Sequence, residues 1–589
     1  EFMGRVRGIE IAPEQLARLV DRSEGWVAGL QLASLSLSHG AALDATLETF
    51  SGAFRDVADY IASDVVARLP ESLSDFLLRT AVLNRMCAGI CAALTGRSDS
   101  QDVLDRLEAE QMFLVPLDQE RTWYRYHHLF RDFLLAQLGR RLPAEIVRLH
   151  AQAAGWFERA DLPVEAVEHA LLSGDLGNVC RLIAASAWEE MKHGRMPRVN
   201  AWMKRVPPHV RARRPRLLVA ECTALYHMNR TDEAEVILRQ LEEHVRDAGE
   251  DGDVPALGDE LRHLRAGIAM ARDDGETALR ALDGPFGPAT DFMLGTIDNI
   301  RGYCLASRGD FADALDSLDR SRRHHAATDS DFGVVYCEWH RALVHLARGE
   351  LQEAITPFDA RREQWRETYV RPVDAIVRGI VHYERGELAC AAELLAPNLA
   401  VVEEVGHVAL LNLGSIAQAR LLAAQGDLDA ALALLARAAE FPQTRRSSTA
   451  QRRLLEHARA RLLFAAGRRP ERPDTPVPNV LALARWDPAA CLAALTAARE
   501  ALATGRPQAV LKTLRHLRQL AIAGGRRPQV IETLLLEGLA EGARGRDDEA
   551  VRAVAEAAAL AAPLRLLRWL VDEGEPIRDL LRRAAAHTD

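Results

Sequence analysis

Apolar positions recur every three or four residues through most of the chain, the spacing that places them on one side of an α-helix. Downstream of Asn229 these helical stretches come in pairs, joined by a short phrase. The phrase is glycine, a polar residue, a spacer, and then alanine on an amphipathic run. It stands at Gly309 (GDFADALDSL), Gly349 (GELQEAITPF), Gly386 (GELACAAELL), Gly426 (GDLDAALALL), Gly505 (GRPQAVLKTL) and Gly545 (GRDDEAVRAV). Successive glycines are spaced by roughly 40 residues, the length of one helix pair with its connections. The gap from Gly426 to Gly505 is close to two such periods, and Gly467 falls at its middle, where a degenerate copy belongs. NRTDEAEVIL at Asn229 is an earlier relative. A run of helical periodicity precedes each glycine, as with Val334, Val335, Leu343 and Leu346 before Gly349.

The phrase has a physical reading. Glycine tolerates the left-handed backbone that ends a helix. An acidic residue after it suits the start of the next helix, where free N–H groups and the positive end of the dipole lie. The small alanine lets two helices approach. One helix pair cannot bury its apolar face alone, so successive pairs stack into a superhelix. The chain is therefore expected to be all-α: a superhelix of helix pairs about 40 residues long, like tetratricopeptide repeats (TPR) but longer than their usual ~34. Breaks are expected at Glu250–Pro255, at the basic connector Arg205–Arg216, and at Arg468–Pro478, whose four prolines exclude a helix.

The chain before Arg141 lacks this period. Helices are expected over 13–38 (two of them), 54–68, 72–86, 88–96 and 101–110. FLVPL (113–117) and TWYRYHHL (122–129) then read as a β-hairpin closed by Asp118–Arg121, followed by the helix FRDFLLAQLGRRL. Helices, a hairpin and a helix make a winged helix. Its groove-facing helix would carry Asp102, Asp105, Glu108 and Glu110 against Arg106. Such a face repels phosphates, so a regulatory role is expected for this unit rather than DNA binding.

Composition narrows the class. Ala, Leu, Arg and Glu dominate, aromatics are 5%, and net charge is −10, which argues against a broad nucleic-acid footprint. No apolar run approaches the ~20 residues of a membrane span, and no signal peptide opens the chain, so a cytoplasmic protein without a membrane partner is expected. The eight cysteines are scattered, with no CxxC pair, as small buried thiols would be. No metal constellation is found; His324-His325 has no acidic or cysteine ligand at helical spacing. There is no GxxxxGK[ST], HExxH, GxSxG or GxGxxG after a strand, so no catalysis is expected of this chain. Glu1-Phe2 before Met3 read as a cloning scar.

At EGWVAGLQLASLSL, FLLRTAVLNRMCAGICAALTGR, LEAEQMFLVPLD and WYRYHHLFRDFL the chain resembles the large ATP-binding LuxR-type transcription regulators. These belong to the signal-transduction ATPases with numerous domains (STAND), and the maltotriose-responsive activator is one of them. The resemblance is strong over about 9–140 and more diffuse over the helical array. It implies a P-loop ATPase, a helical lid, a winged helix, a superhelical sensor and a C-terminal helix-turn-helix. With no P-loop here and a close at LRWLVDEGEPIRDLLRRAAAHTD, a fragment lacking both ends is expected. Its implied layout is a lid remnant over 1–50, winged helix over 51–142, helical linker and first pairs over 143–250, and sensor over 251–589.

The resemblance implies a nucleotide-sensing role for His127, which would face the β-phosphate of ADP in the parent protein; its alternative is to cap the hairpin and following helix. Gly25 and Trp26 fit the family's adenine contact, although Val27 stands where relatives commonly have proline, and Trp26 also suits a core. No cofactor is expected in the fragment, while ATP or ADP serves the parent, a slow signalling ATPase. The implied partners are a small-molecule or protein inducer in the superhelix and the chain's own ATPase domain. DNA would be met only through the missing C-terminal domain, and the activated parent self-associates. The residues themselves add a hint. Aromatics gather between Phe286 and Tyr383, with polar residues among them on first helices, whose sides line a concave face. Asn299, Tyr303, Tyr336, Trp339, His340 and Arg378 are the candidate effector residues, unless the aromatics only fill the core between pairs. The rival reading is a helical-repeat scaffold that grips a peptide or protein.

Overall fold

The computed structural model describes residues 69–110, 112–248, 254–287, 289–359, 371–405, 408–441, 447–469 and 479–586. Gly25, Trp26, the proposed lid and the helices expected before residue 69 lie outside these. The described residues fall into two units, one of 69–186 with 205–210 and one of 187–204 with 211–586. Among them, secondary structure is helical except for one two-stranded antiparallel sheet. No described helix is long and apolar enough to cross a membrane.

The first unit contains the winged helix. Helices Glu71–Thr80, Ala88–Thr95 and Ser100–Ala109 precede strands β1 (Leu114–Pro116) and β2 (Tyr124–Tyr126), and helix His128–Arg141 follows. Val115 faces Arg125 in the register. Asp118 closes the hairpin because its carboxylate accepts from Thr122 N at 2.8 Å and Trp123 N at 3.1 Å. The helix expected over 72–86 stops at Thr80. The Arg131 guanidinium takes the carbonyls of Ala81 and Leu83, and Met86 bridges to Tyr124 as a third extended segment. On the outer face of Ser100–Ala109 and its C-cap, Asp102, Asp105 and Glu110 are exposed as expected, with Arg106 paired to Glu110, while Glu108 is half-buried against Arg121.

The second unit is the repeat array. Pairs include Asp291–Arg308 with Phe311–Ala327, Asp331–Arg348 with Leu351–Asp359, Arg371–Glu384 with Leu388–Val405, Val408–Ala424 with Leu428–Glu440, and Arg527–Gly542 with Asp547–Leu564. Each phrase glycine, from Gly309 to Gly545, has positive φ, between 69° and 95°. Asn229 takes the same place at φ 58°.

Two small residues set the approach within a pair. The alanine five positions after the turn is fully buried at Ala314, Ala354, Ala391, Ala431 and Ala550. Seven positions before the turn stands another small residue: Gly302, Ala342, Gly379, Ala419, Ala498 or Gly538. A Cβ at Gly302 would lie 2.6 Å from the Leu318 side chain and 3.2 Å from Ala314 O, so the two helices meet there backbone to backbone.

The acid after the glycine departs from expectation at some turns. Asp427 does cap its helix, accepting from Ala430 N at 3.0 Å. Glu350, one methylene longer, instead reaches back to His345 Nδ1 at 2.9 Å, and Glu387 reaches His382 in the same way. At Gly467 the first helix Thr449–Ala465 ends as expected, but the next described α-helix is Pro488–Ala503, which packs directly on it.

Candidate functional site

Four of the six candidate effector residues converge. Tyr303 lies on helix Asp291–Arg308; Tyr336, Trp339 and His340 lie on Asp331–Arg348. With Tyr226, His227, Asp273, Ser448 and Gln451 they line one cavity of about 110 Å³ inside the second unit. These positions share the inward side of first helices, which explains why residues about one repeat apart in sequence meet.

The rings form a continuous arc. Tyr226 and His227 centroids lie 4.3 Å apart, His227 and Tyr336 6.2 Å, Tyr336 and His340 5.8 Å, and His340 and Tyr303 4.9 Å. Gly267 makes room for the Tyr226 ring: a Cβ there would lie 2.8 Å from it. The arc ends on a carboxylate. Tyr303 OH donates to Asp273 Oδ1 at 2.7 Å and Ser448 Oγ donates to Asp273 Oδ2 at 2.7 Å. Burial raises the Asp273 pKa, against the lowering effect of those two hydroxyls. Burial also pushes His227 down to about 3, so its ring is neutral near pH 7.

Asn299 and Arg378 do not join the cavity. Asn299 is buried between pairs and donates to Cys337 Sγ at 3.3 Å. Arg378 is held by Asp374 at 2.6 Å and Asp359 at 2.7 Å. Sequence reasoning missed Asp273, yet its place was legible, about one repeat from both Asn229 and Gly309; the structure shows it at φ 61° in the left-handed turn place that the array elsewhere gives to glycine or asparagine.

A second group was also missed. Arg420, Arg461 and Arg499 each stand six residues before a turn glycine (Gly426, Gly467, Gly505), the place Tyr303 holds before Gly309. They meet an acidic turn, Asp572-Glu573. Arg420 Nη2 reaches Asp572 at 2.9 Å, and Arg461 and Arg499 reach Glu573 at 2.6 and 2.7 Å. Arg499 also reaches Glu532 at 2.7 Å. A cavity of about 310 Å³ beside them is lined by Arg420, Arg461, Glu384, Glu532, Trp569 and Leu343, among others. Of its lining guanidiniums, Arg420 and Arg461 are matched to carboxylates and Arg526 donates to the carbonyls of Ala306 and Ser307 at 3.2 and 3.0 Å, so Arg420 and Arg461 read as part of a structural ion network.

In the first unit, His127 lies at the junction of hairpin and helix, 8% exposed. Its backbone N–H donates to Phe113 O at 2.7 Å, and its ring stacks on His128 at 4.9 Å. Its side chain caps no helix N–H.

Comparisons with known proteins match this layout. The MalT winged helix domain family matches residues 62–146, and the MalT-like TPR region family matches residues 295–587. The chain is 27% identical over 434 residues to serine/threonine-protein kinase PknK of Mycobacterium tuberculosis (strain CDC 1551 / Oshkosh), and equally to PknK of Mycobacterium bovis. That alignment covers 72% of this chain and 39% of each relative, so the chain spans well under half of their length. Among solved structures it is similar to a STAND protein with a tetratricopeptide repeat sensor from Pyrococcus horikoshii. The identity is 11% and the TM-score 0.30, covering 95% of this chain and 74% of that one.

Proposed function

This chain belongs to the MalT-like family through both its winged helix and its TPR region, and from that premise we propose that it is the effector-sensing, regulatory part of an inducer-responsive, ATP-dependent transcription activator of the STAND class. The supporting observation is the cavity walled by Tyr303, Tyr336, Trp339 and His340, where aromatic faces and a few directed polar groups converge from separate repeats. A small-molecule inducer there favours an open state of the parent protein over an ADP-locked resting state. His127 senses the nucleotide phosphate, and Gly25 and Trp26 sit near the adenine. Only a difference in inducer affinity between the two states can drive such a switch. In this reading DNA is bound by a separate C-terminal domain and the activated parent self-associates.

A thermal-shift screen of the chain against metabolites tests it. The expected result is stabilisation by at least one compound, lost in Trp339→Ala and in Tyr303→Ala. A shift that survives both substitutions moves the site elsewhere. No shift with any metabolite, together with a specific protein captured by the array, favours the scaffold.

A further inference from the structure

The aromatic cavity carries one charge among its described lining residues, and it is negative. Asp273 is the sole described acid on the wall, and no described arginine or lysine joins it. Among the described residues its carboxylate is met only by neutral hydroxyls, Tyr303 OH and Ser448 Oγ, each at 2.7 Å. Asp273 also borders a second, more open cavity with four guanidiniums, and each of them has other partners: Arg272 turns to Asp232 and Glu235, Arg308 to Asp310 and Glu276, Arg485 to Glu276, and Arg452 to Ser447 O and Thr449 Oγ1. A half-buried carboxylate with no cation against it among the described residues is a costly arrangement in any fold. Here it is held in place by a left-handed backbone at φ 61° and by groups 30 and 175 residues away in sequence.

Around this carboxylate run the faces and edges of Tyr226, His227, Tyr336, His340 and Tyr303, with Trp339 beside them. Aromatic faces attract cations through their quadrupole, and alkylated ammonium groups are bound by such cages. The half-buried Asp273 carboxylate beside the rings supplies the counter-charge. We propose that the effector of this cavity is a small organic cation, an alkylated amine seated in the aromatic arc with its charge toward Asp273. The cavity of about 110 Å³ limits the recognised part to a few heavy atoms, with any longer portion extending through the mouth. This deepens the effector reading and rests on it. Burial holds the Asp273 pKa above the usual carboxylate range, and a bound cation would favour its ionised form.

The test uses choline and its neutral isostere 3,3-dimethyl-1-butanol as probes, titrated into the chain and read by calorimetry and tryptophan fluorescence. Asp273→Asn is the diagnostic variant. Asparagine tolerates positive φ and can still accept from Tyr303 or Ser448, so the fold is retained and its unchanged melting temperature serves as the check. Asp232→Asn, an exposed carboxylate outside the cavity, is the control. The expected result is saturable choline binding at least tenfold tighter than the isostere. That preference should be lost in Asp273→Asn and kept in Asp232→Asn. Equal binding of the two probes, choline binding unaffected by Asp273→Asn, or no choline binding overturns the proposal. If a neutral metabolite binds instead, dependent on Trp339 but not on Asp273, the cation assignment falls while the effector reading stands. If no small molecule binds at all, both fall.

Discussion

His150 and His169 face each other with their Nδ1 atoms 2.9 Å apart. Both rings are buried, and Phe157 stacks on His169 at 5.2 Å. One Nδ1–H donates and the other Nδ1 accepts, so the pair is built for two neutral rings. Desolvation lowers His150 to about 4 and His169 to about 3, with Arg131 adding repulsion at both and His150 a further part at His169. The sign follows from linkage. Above the unfolded pKa of ~6.5 the pair contributes its full stability. As pH falls from there toward 4, the unfolded chain takes up protons that the folded chain refuses, and stability is lost. At ~1.4 kcal/mol per pKa unit, and discounting His150 for its residual hydration, the loss should reach roughly 3 kcal/mol. Urea midpoints of the first unit's transition should therefore fall between pH 6.5 and 4. His169→Gln should flatten that slope; an unchanged slope would mean that the pair does not titrate as described.

At the scale of the helix pair, the turn divides its work among a few positions. Left-handed backbone at the glycine ends the first helix, and the small residues seven before and five after let the two helices touch. The acid after the glycine has a position-dependent role. Asp427 caps Ala430 N, whereas the Asp310 side chain caps nothing and meets Arg308 near the surface. Asp427→Ala should cost about 1 kcal/mol, the usual loss of an N-cap. Asp310→Ala should stay within about 0.5 kcal/mol, as for an exposed ion pair. Equal losses in urea unfolding would show that dipole and charge, not the cap hydrogen bond, set the value of this position.

Across the second unit, the ion network fastens parts of the array that are far apart in sequence. Asp572 meets Arg420, and Tyr383 OH donates to it at 2.7 Å. Glu573, 1% exposed, lies between Arg461 and Arg499, and Arg499 is fully buried. Gly574 completes the acidic turn at φ 91°, where a Cβ would lie 2.6 Å from Ala465 O. Each arginine belongs to a different repeat, so the turn ties three repeats at once. Removing one partner of a buried pair leaves a charge without compensation, a loss of about 3–5 kcal/mol. Glu573→Gln should therefore lower the urea midpoint sharply, with little change between low and moderate salt because buried charges are poorly screened. A small loss that disappears in salt would place these groups in water.

Much of this was legible in the sequence because helix, turn and hairpin are local decisions. The regular glycine spacing and the hairpin closed by Asp118 both follow from backbone preferences within a few residues, whereas the prolines of the break expected at Arg468–Pro478 lie outside the described residues. The inward side of first helices was legible too, and so Tyr303, Tyr336, Trp339 and His340 were found together. What a side chain meets across repeats is not local. Asn299 turned to Cys337 and Arg378 to two aspartates because packing between neighbouring helices set their surroundings. Asp273 gained Ser448, 175 residues on, and Arg420 gained Asp572, 152 residues on. The sequence by itself determined the elements, their period and their apolar faces. Only the tertiary structure decided which charges are desolvated and by what they are matched, since the curvature that brings distant repeats together is a sum of many small packing angles that no single segment encodes.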